Sequence, residues 1–244
     1  MKCPLTLIAG ILWLTGDFVA QAQFRAPGGL PPGFHHALFD VLGAGPAFSG
    51  HALIHLSDGT NKAPETLSCD IAVLSGTMRL EVDTFETGTN VPPSEAANLK
   101  EMHTISILRP DLNRMYLVYP MFHSYVEVPY SKSTGTNSTP PPNIGKSFIT
   151  NVMVGIQGCV ESDWEVTENN GEQYGLLVWS ATNLNNFPIR IQLGSPPVTV
   201  DFETVHMETP DGSLFVPPPT YIRYEGIQEI IQREAAKPQT AVSP

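Results

Sequence analysis

The side chains of this 244-residue chain suited to metal, nucleophilic or acid-base chemistry include seven histidines and three cysteines, and their spacing argues against most of that chemistry. His51 and His55 come nearest to a ligand pair. On a helix they would meet, but their surroundings have strand composition, and a strand rising about 3.3 Å per residue sets them roughly 13 Å apart, too far for one ion. His35 and His36 are adjacent, diverge on either kind of element, and read as part of a leader segment. His123 falls in a turn and His103 in a loop, without a second ligand at metal spacing, so no metal is expected unless folding assembles a site. There is no Gly-x-Ser-x-Gly elbow, and Ser195 in Gly194-Ser195-Pro196 reads as a turn residue. Cys159 lacks a His partner, and Glu161 and Asp163 read as the solvated face of a strand rather than an acid-base pair. The chain is expected to be noncatalytic and to need no cofactor. A hydrolase would require a His and an acid within hydrogen-bond reach of a Ser or Cys.

The cysteines depend on compartment. Residues 1–22, MKCPLTLIAGILWLTGDFVAQA, carry Lys2, an apolar stretch from Leu5 to Leu14 and the small-x-small ending Ala20-Gln21-Ala22, the form of a secretory signal peptide. Its apolar run is about ten residues against the roughly 20 of a membrane-spanning helix, and no later stretch approaches that length. The mature chain is expected in the periplasm or outside the cell, without a transmembrane segment. Cys3 leaves with the peptide. Cys69 and Cys159 remain, and an oxidising compartment allows one pairing between them, worth about 4 to 5 kcal/mol by loop entropy; the alternative is two half-buried thiols packing as small hydrophobes. Cleavage removes Lys2 and Asp17, leaving 12 basic and 23 acidic residues and the precursor's net charge of −11. So acidic a chain is a poor nucleic-acid partner.

The elements that would position any site are strands. Ile105–Leu108, Arg114–Tyr119 and Ser124–Val128 are β-branched and aromatic runs separated by turn chemistry, with Pro110 and Pro120 opening the turns, and Asp111 and Asn113 able to bond their own backbone. Met78, Leu80 and Val82 alternate with Thr77, Arg79, Glu81 and Asp83, the pattern of an antiparallel sheet wet on one side. Gly50–Leu56, Leu67–Leu74, Asp163–Glu168, Gln173–Ala181, Pro188–Leu193 and Val198–His206 bring the expected total to about ten, with Asn169-Asn170-Gly171 as a hairpin turn. Helical spacing predicts short helices over Phe34–Leu42 and Gly226–Glu234. Phe85–Glu101 and Tyr130–Lys146 read as long connections, and the prolines of Asp211–Tyr221 exclude a central strand there. The fold class expected is mainly β: a large curved antiparallel sheet, an unclosed half-barrel, with short helices packed on it. The division expected is 1–22 signal peptide, 23–48 leader and short helix, 49–225 a single antiparallel β half-barrel domain, and 226–244 a short helix and tail.

Several segments resemble a family of exported bacterial domains of unknown function related in fold to the outer-membrane lipoprotein carriers. They are Gly76-Thr77-Met78-Arg79-Leu80-Glu81, Leu108-Arg109-Pro110-Asp111 through Met115-Tyr116-Leu117, Tyr119-Pro120 with Tyr125, Val178-Trp179, Asn186-Phe187-Pro188-Ile189, and Ser213-Leu214-Phe215-Val216-Pro217-Pro218. The resemblance spans roughly residues 50–224. It implies an unclosed sheet curled around one or more helices, with an apolar concave face that in the carriers shelters acyl chains. Arg79 is the basic residue that aligns with an arginine on the carriers' equivalent strand, while the insertions at 85–101 and 130–146 depart from them.

The apolar stripes supply the candidate ligand-binding residues: Met78, Leu80, Val82, Ile105, Ile107, Met115, Leu117, Tyr119 and Trp179. They read either as the lining of a concave cavity, where methionines and aromatics adapt to a hydrophobic ligand, or as ordinary core. The expected function is binding of a lipid or acylated ligand. The alternative is a structural or interaction domain of the envelope with a filled core and a protein partner.

Overall fold

The computed structural model describes residues 30–31, 33–57, 65–84, 102–130, 143–167, 171, 173–194 and 197–235. The residues expected as a signal peptide, the connection at 85–101 and most of the one at 130–146 lie outside these.

The elements in order are α1 (Phe34–Leu42), β1 (Phe48–Leu56), β2 (Glu65–Leu74), β3 (Thr77–Thr84), β4 (Met102–Arg109), β5 (Arg114–Tyr119), β6 (Ser124–Pro129), β7 (Asn143–Val154), β8 (Gln157–Thr167), β9 (Gln173–Ala181), β10 (Phe187–Leu193), β11 (Val198–His206), β12 (Ile222–Tyr224) and α2 (Ile227–Ala235). All twelve strands form one unclosed sheet in the order β12-β6-β5-β4-β3-β2-β1-β11-β10-β9-β8-β7. It is two meanders joined edge to edge in the middle of the sheet. β1 to β6 run outward to one side and β11 back to β7 run outward to the other, and β1 pairs antiparallel with β11 at the seam. Every pairing is antiparallel except β12 on β6.

Turn chemistry sets this local order. Ser75 and Gly76 both have positive φ, 49° and 75°, as a two-residue type I′ hairpin between β2 and β3 demands. Pro110–Leu112 and Pro120–Phe122 each form one 3-10 turn that closes on a left-handed residue, Asn113 and His123. The carboxylate of Asp111 accepts two bonds from Arg109, at 2.9 and 2.7 Å.

The sheet has a face carrying both helices, called inner here, and an opposite outer face. α1 is buried along nearly its whole surface: Phe34, Ala37, Leu38, Val41 and Leu42 pack among Ala52, Ile54, Ile71, Leu80, Val178, Ile191 and Val200. His35 is buried with them, so it belongs to the core rather than to a leader. α2 lies at the other end of the inner face, with Ile230 against Leu117, Tyr119, Val126 and Tyr224. On the outer face, Phe215 of the Gly212–Phe215 turn covers Ala72, Ile105, Ile107, Tyr116 and Val118.

The strand boundaries are refined and one expectation is corrected. Among the described residues there are twelve strands where about ten were expected. β7 takes in Asn143–Lys146, read from sequence as connection, and continues to Val154; β8 begins at Gln157 rather than Asp163; and three-residue β12 is new. β7 is an edge strand, exposed along most of its length, with a register break between Phe148 and Thr150, so no single alternation runs through it. The correction concerns the disulfide. Cys69 and Cys159 are both buried free thiols. They sit on β2 and β8, five strand spacings apart, about 24 Å along the sheet at about 4.8 Å per step, whereas a bridge needs Cα atoms within about 7 Å.

Candidate functional site

The nine residues nominated from sequence do not share one surface. Residues directly paired in an antiparallel ladder point to the same face. Ile107 pairs with Arg79 and Ile105 with Glu81, so both isoleucines face outward beneath Phe215, away from Met78, Leu80 and Val82. Those three lie on the inner face in the core under α1, where Met78 and Leu80 have no exposed surface at all. Met115, Leu117 and Tyr119 are also on the inner face, but at the α2 end. Trp179 pairs with Arg190, whose guanidinium carbon is 5.9 Å from its ring centroid.

The open part of the inner face is elsewhere. A cleft of about 500 Å³ lies between the C-terminal end of α1 with the loop after it and the strands β7 to β10. Val41, Leu42 and Phe48 form one wall, Ile144, Val160 and Trp164 the floor, and Leu184, Phe187 and Met207 the remaining side. It exists because α1 is only nine residues long and sits over β10, too short to cover strands of eleven and twelve residues beyond it. Two charged groups border it. Asp40 is buried and accepts a hydrogen bond from the hydroxyl of Tyr174 on β9. Lys146 stands on the edge strand with its Nζ 3.6 Å from the centroid of Trp164, its neighbour across the β7–β8 ladder. Desolvation lowers its pKa below the ordinary lysine value.

Sequence reasoning missed these residues. Lys146 was assigned to a connection, and Trp164 was placed on a strand without a role. The usable signal was the acidic alternation of Glu161, Asp163 and Glu165: if that side is wet, Trp164 and Val166 are on the dry one.

The outer face holds a polar ladder. His51 Nδ1 is 2.8 Å from Asp70 Oδ1 and its Nε2 3.3 Å from Ser68 Oγ, so a Ser, a His and an acid are within mutual reach. Glu203 is 3.8 Å from the same Nε2. The arrangement is cross-strand pairing on the outer face of the sheet: the N–H groups of the β1–β2 ladder lie in the plane of the sheet, toward the neighbouring strands, rather than up toward Ser68. Asp70 has 69% of its side chain exposed, so water screens whatever it gives the imidazole. His55 has its own partners, Thr66 at 3.0 Å and Asp201 at 3.5 Å. Among the described residues no group of three or more His, Cys, Asp or Glu is arranged to hold a metal. Neither thiol is activated: burial pushes Cys69 up to about 12 and also raises Cys159.

No family model matches the chain, and no curated protein does. Solved structures similar to it include a LolA superfamily protein from Nitrosomonas europaea, at 9% identity over 73% of this chain and 93% of that one, with a TM-score of 0.35. A DUF1329 family protein from Desulfovibrio piger matches at 9% identity over 74% and 93%, with a TM-score of 0.35. A putative outer membrane lipoprotein-sorting protein domain from Vibrio parahaemolyticus matches at 9% identity over 74% and 94%, with a TM-score of 0.27.

Proposed function

We propose that the protein is a noncatalytic exported protein, of the periplasm or envelope, that binds a hydrophobic or lipid-like ligand against the inner face of its half-barrel. The observation that carries this reading is the cleft: about 500 Å³ of mostly apolar lining with two charged groups at its border, within the roughly 300 to 1,000 Å³ typical of small-molecule sites. Of the nine residues nominated from sequence, none lines it. The proposed site is therefore the stretch of inner face beside α1, with the Met78 and Leu117 stripes as the core that holds the sheet's curvature. The test is native mass spectrometry of protein from its own host, followed by organic extraction. A co-purifying acyl species supports the reading; a ligand-free mass together with failure to take up any single-chain amphiphile in vitro refutes it.

A second reading, an envelope interaction domain, is favoured by one feature. The edge hairpin β7–β8 presents Phe148, Met153 and Ile156 at 65%, 66% and 95% exposure, more than a monomer's surface explains. Under this reading Phe148→Lys with Met153→Lys abolishes capture of an envelope protein and leaves amphiphile uptake intact.

A further inference from the structure

We infer that the ligand of this cleft is a single-chain amphiphile with an anionic head, its head group at Lys146 and its chain running inward over Trp164 toward Phe48 and Phe187. This rests on the cleft being the binding site. The observation behind it is a charge left over. Among the described residues, Arg79, Arg109, Arg114, Arg190 and Arg223 are ion-paired with Glu81, Asp111, Glu127, Asp201 and Glu127 respectively, and Arg233 donates to Tyr224 Oη at 2.8 Å. Lys146, the one lysine among them, has no carboxylate of the described residues within ion-pair distance. In a chain of net charge −11, the cation at this apolar cleft rests on an aromatic ring rather than on a carboxylate.

Geometry supports the same partner. The Trp164 ring holds the ammonium over the cleft floor at 3.6 Å, so the charge is positioned before any ligand arrives. Its partial burial disfavours the charged form, and an anion at the head position reverses that. Asp40, the carboxylate at the cleft, is buried with the Tyr174 hydroxyl turned toward it. A cationic head would have to leave Lys146 unpaired and repelled; a neutral head would leave it unused.

The test measures binding of palmitate and of hexadecanol to the full chain by isothermal calorimetry, with acetate as the head alone, for wild type, Lys146→Gln and Lys146→Arg. Wild type should bind palmitate about tenfold more tightly than hexadecanol. Lys146→Gln should lose that preference while keeping its hexadecanol affinity, Lys146→Arg should retain it, and acetate should not compete. Equal wild-type affinities, or equal loss of both ligands in Lys146→Gln, would overturn the anionic-head assignment while leaving a hydrophobic site; displacement of palmitate by acetate would overturn the amphiphile and leave a bare anion site. Failure of both chains to bind refutes the cleft reading itself.

Discussion

Tyr174 and Asp40 are 134 positions apart in sequence, and the tyrosine hydroxyl donates to the buried aspartate carboxylate. The bond ties α1 to β9 at one border of the cleft. A hydrogen bond to a charged acceptor contributes about 1.5 to 3 kcal/mol. Tyr174→Phe should lower unfolding free energy in urea by that amount; a change below about 0.5 kcal/mol would mean that this bond does not hold α1 in place.

Leu80 separates core from cleft. It is fully buried under α1 and does not line the cavity. Leu80→Ala should cost about 2 to 5 kcal/mol. Below its melting temperature the variant should bind amphiphiles as wild type does. Weakened binding in a fully folded Leu80→Ala protein would return the site to the stripe nominated from sequence.

His35 predicts an acid-sensitive fold. Burial, with a smaller contribution from neighbouring His36, lowers its pKa from 6.5 to about 4. The folded state therefore keeps it neutral while the unfolded chain protonates it from pH 6.5 downward. Between these values the unfolded state binds more protons, so stability falls as pH drops from 6.5 to 4, by roughly 3 kcal/mol in all. In His35→Phe, which keeps a buried ring and removes the titration, denaturant midpoints measured across that window should decline less by that margin. An identical decline would show that other groups carry the acid response.

Gly50 sits beside the seam between the two meanders. A Cβ there would stand 2.6 Å from the backbone oxygen of Thr204 on β11, just before the register shift at His51 and Ala52. That oxygen cannot move without opening the β1–β11 ladder. Gly50→Ala should cost about 1 to 3 kcal/mol, with amide exchange accelerated on β1 and β11 before the outer strands. Unchanged exchange would show that the seam yields freely.

Ser68, His51 and Asp70 should be inert as a hydrolase. Wild type and Ser68→Ala should hydrolyse p-nitrophenyl acetate at the same background rate; selective loss in the variant would establish catalysis on the outer face.

Composition and period determined a good deal of this molecule. The dry and wet sides of β3 follow from Met78, Leu80 and Val82 against Arg79 and Glu81, and α1 from the spacing of Phe34, Leu38, Val41 and Leu42, because each pattern is local and its period differs from the other. Antiparallel architecture followed from short strands punctuated by proline and Asx turns. What only the tertiary structure decided is which dry stripe meets which. Alternation says that Ile105 and Ile107 share a face, but pairing with Glu81 and Arg79 puts that face outward, and pairing is set by register between strands that sequence periodicity does not contain. The same gap misplaced β7, an exposed edge strand without a clean period, and with it Lys146 over Trp164. The separation of Cys69 from Cys159 is likewise a matter of strand order, since the β1–β11 seam puts the two meanders side by side and their cysteines five strands apart.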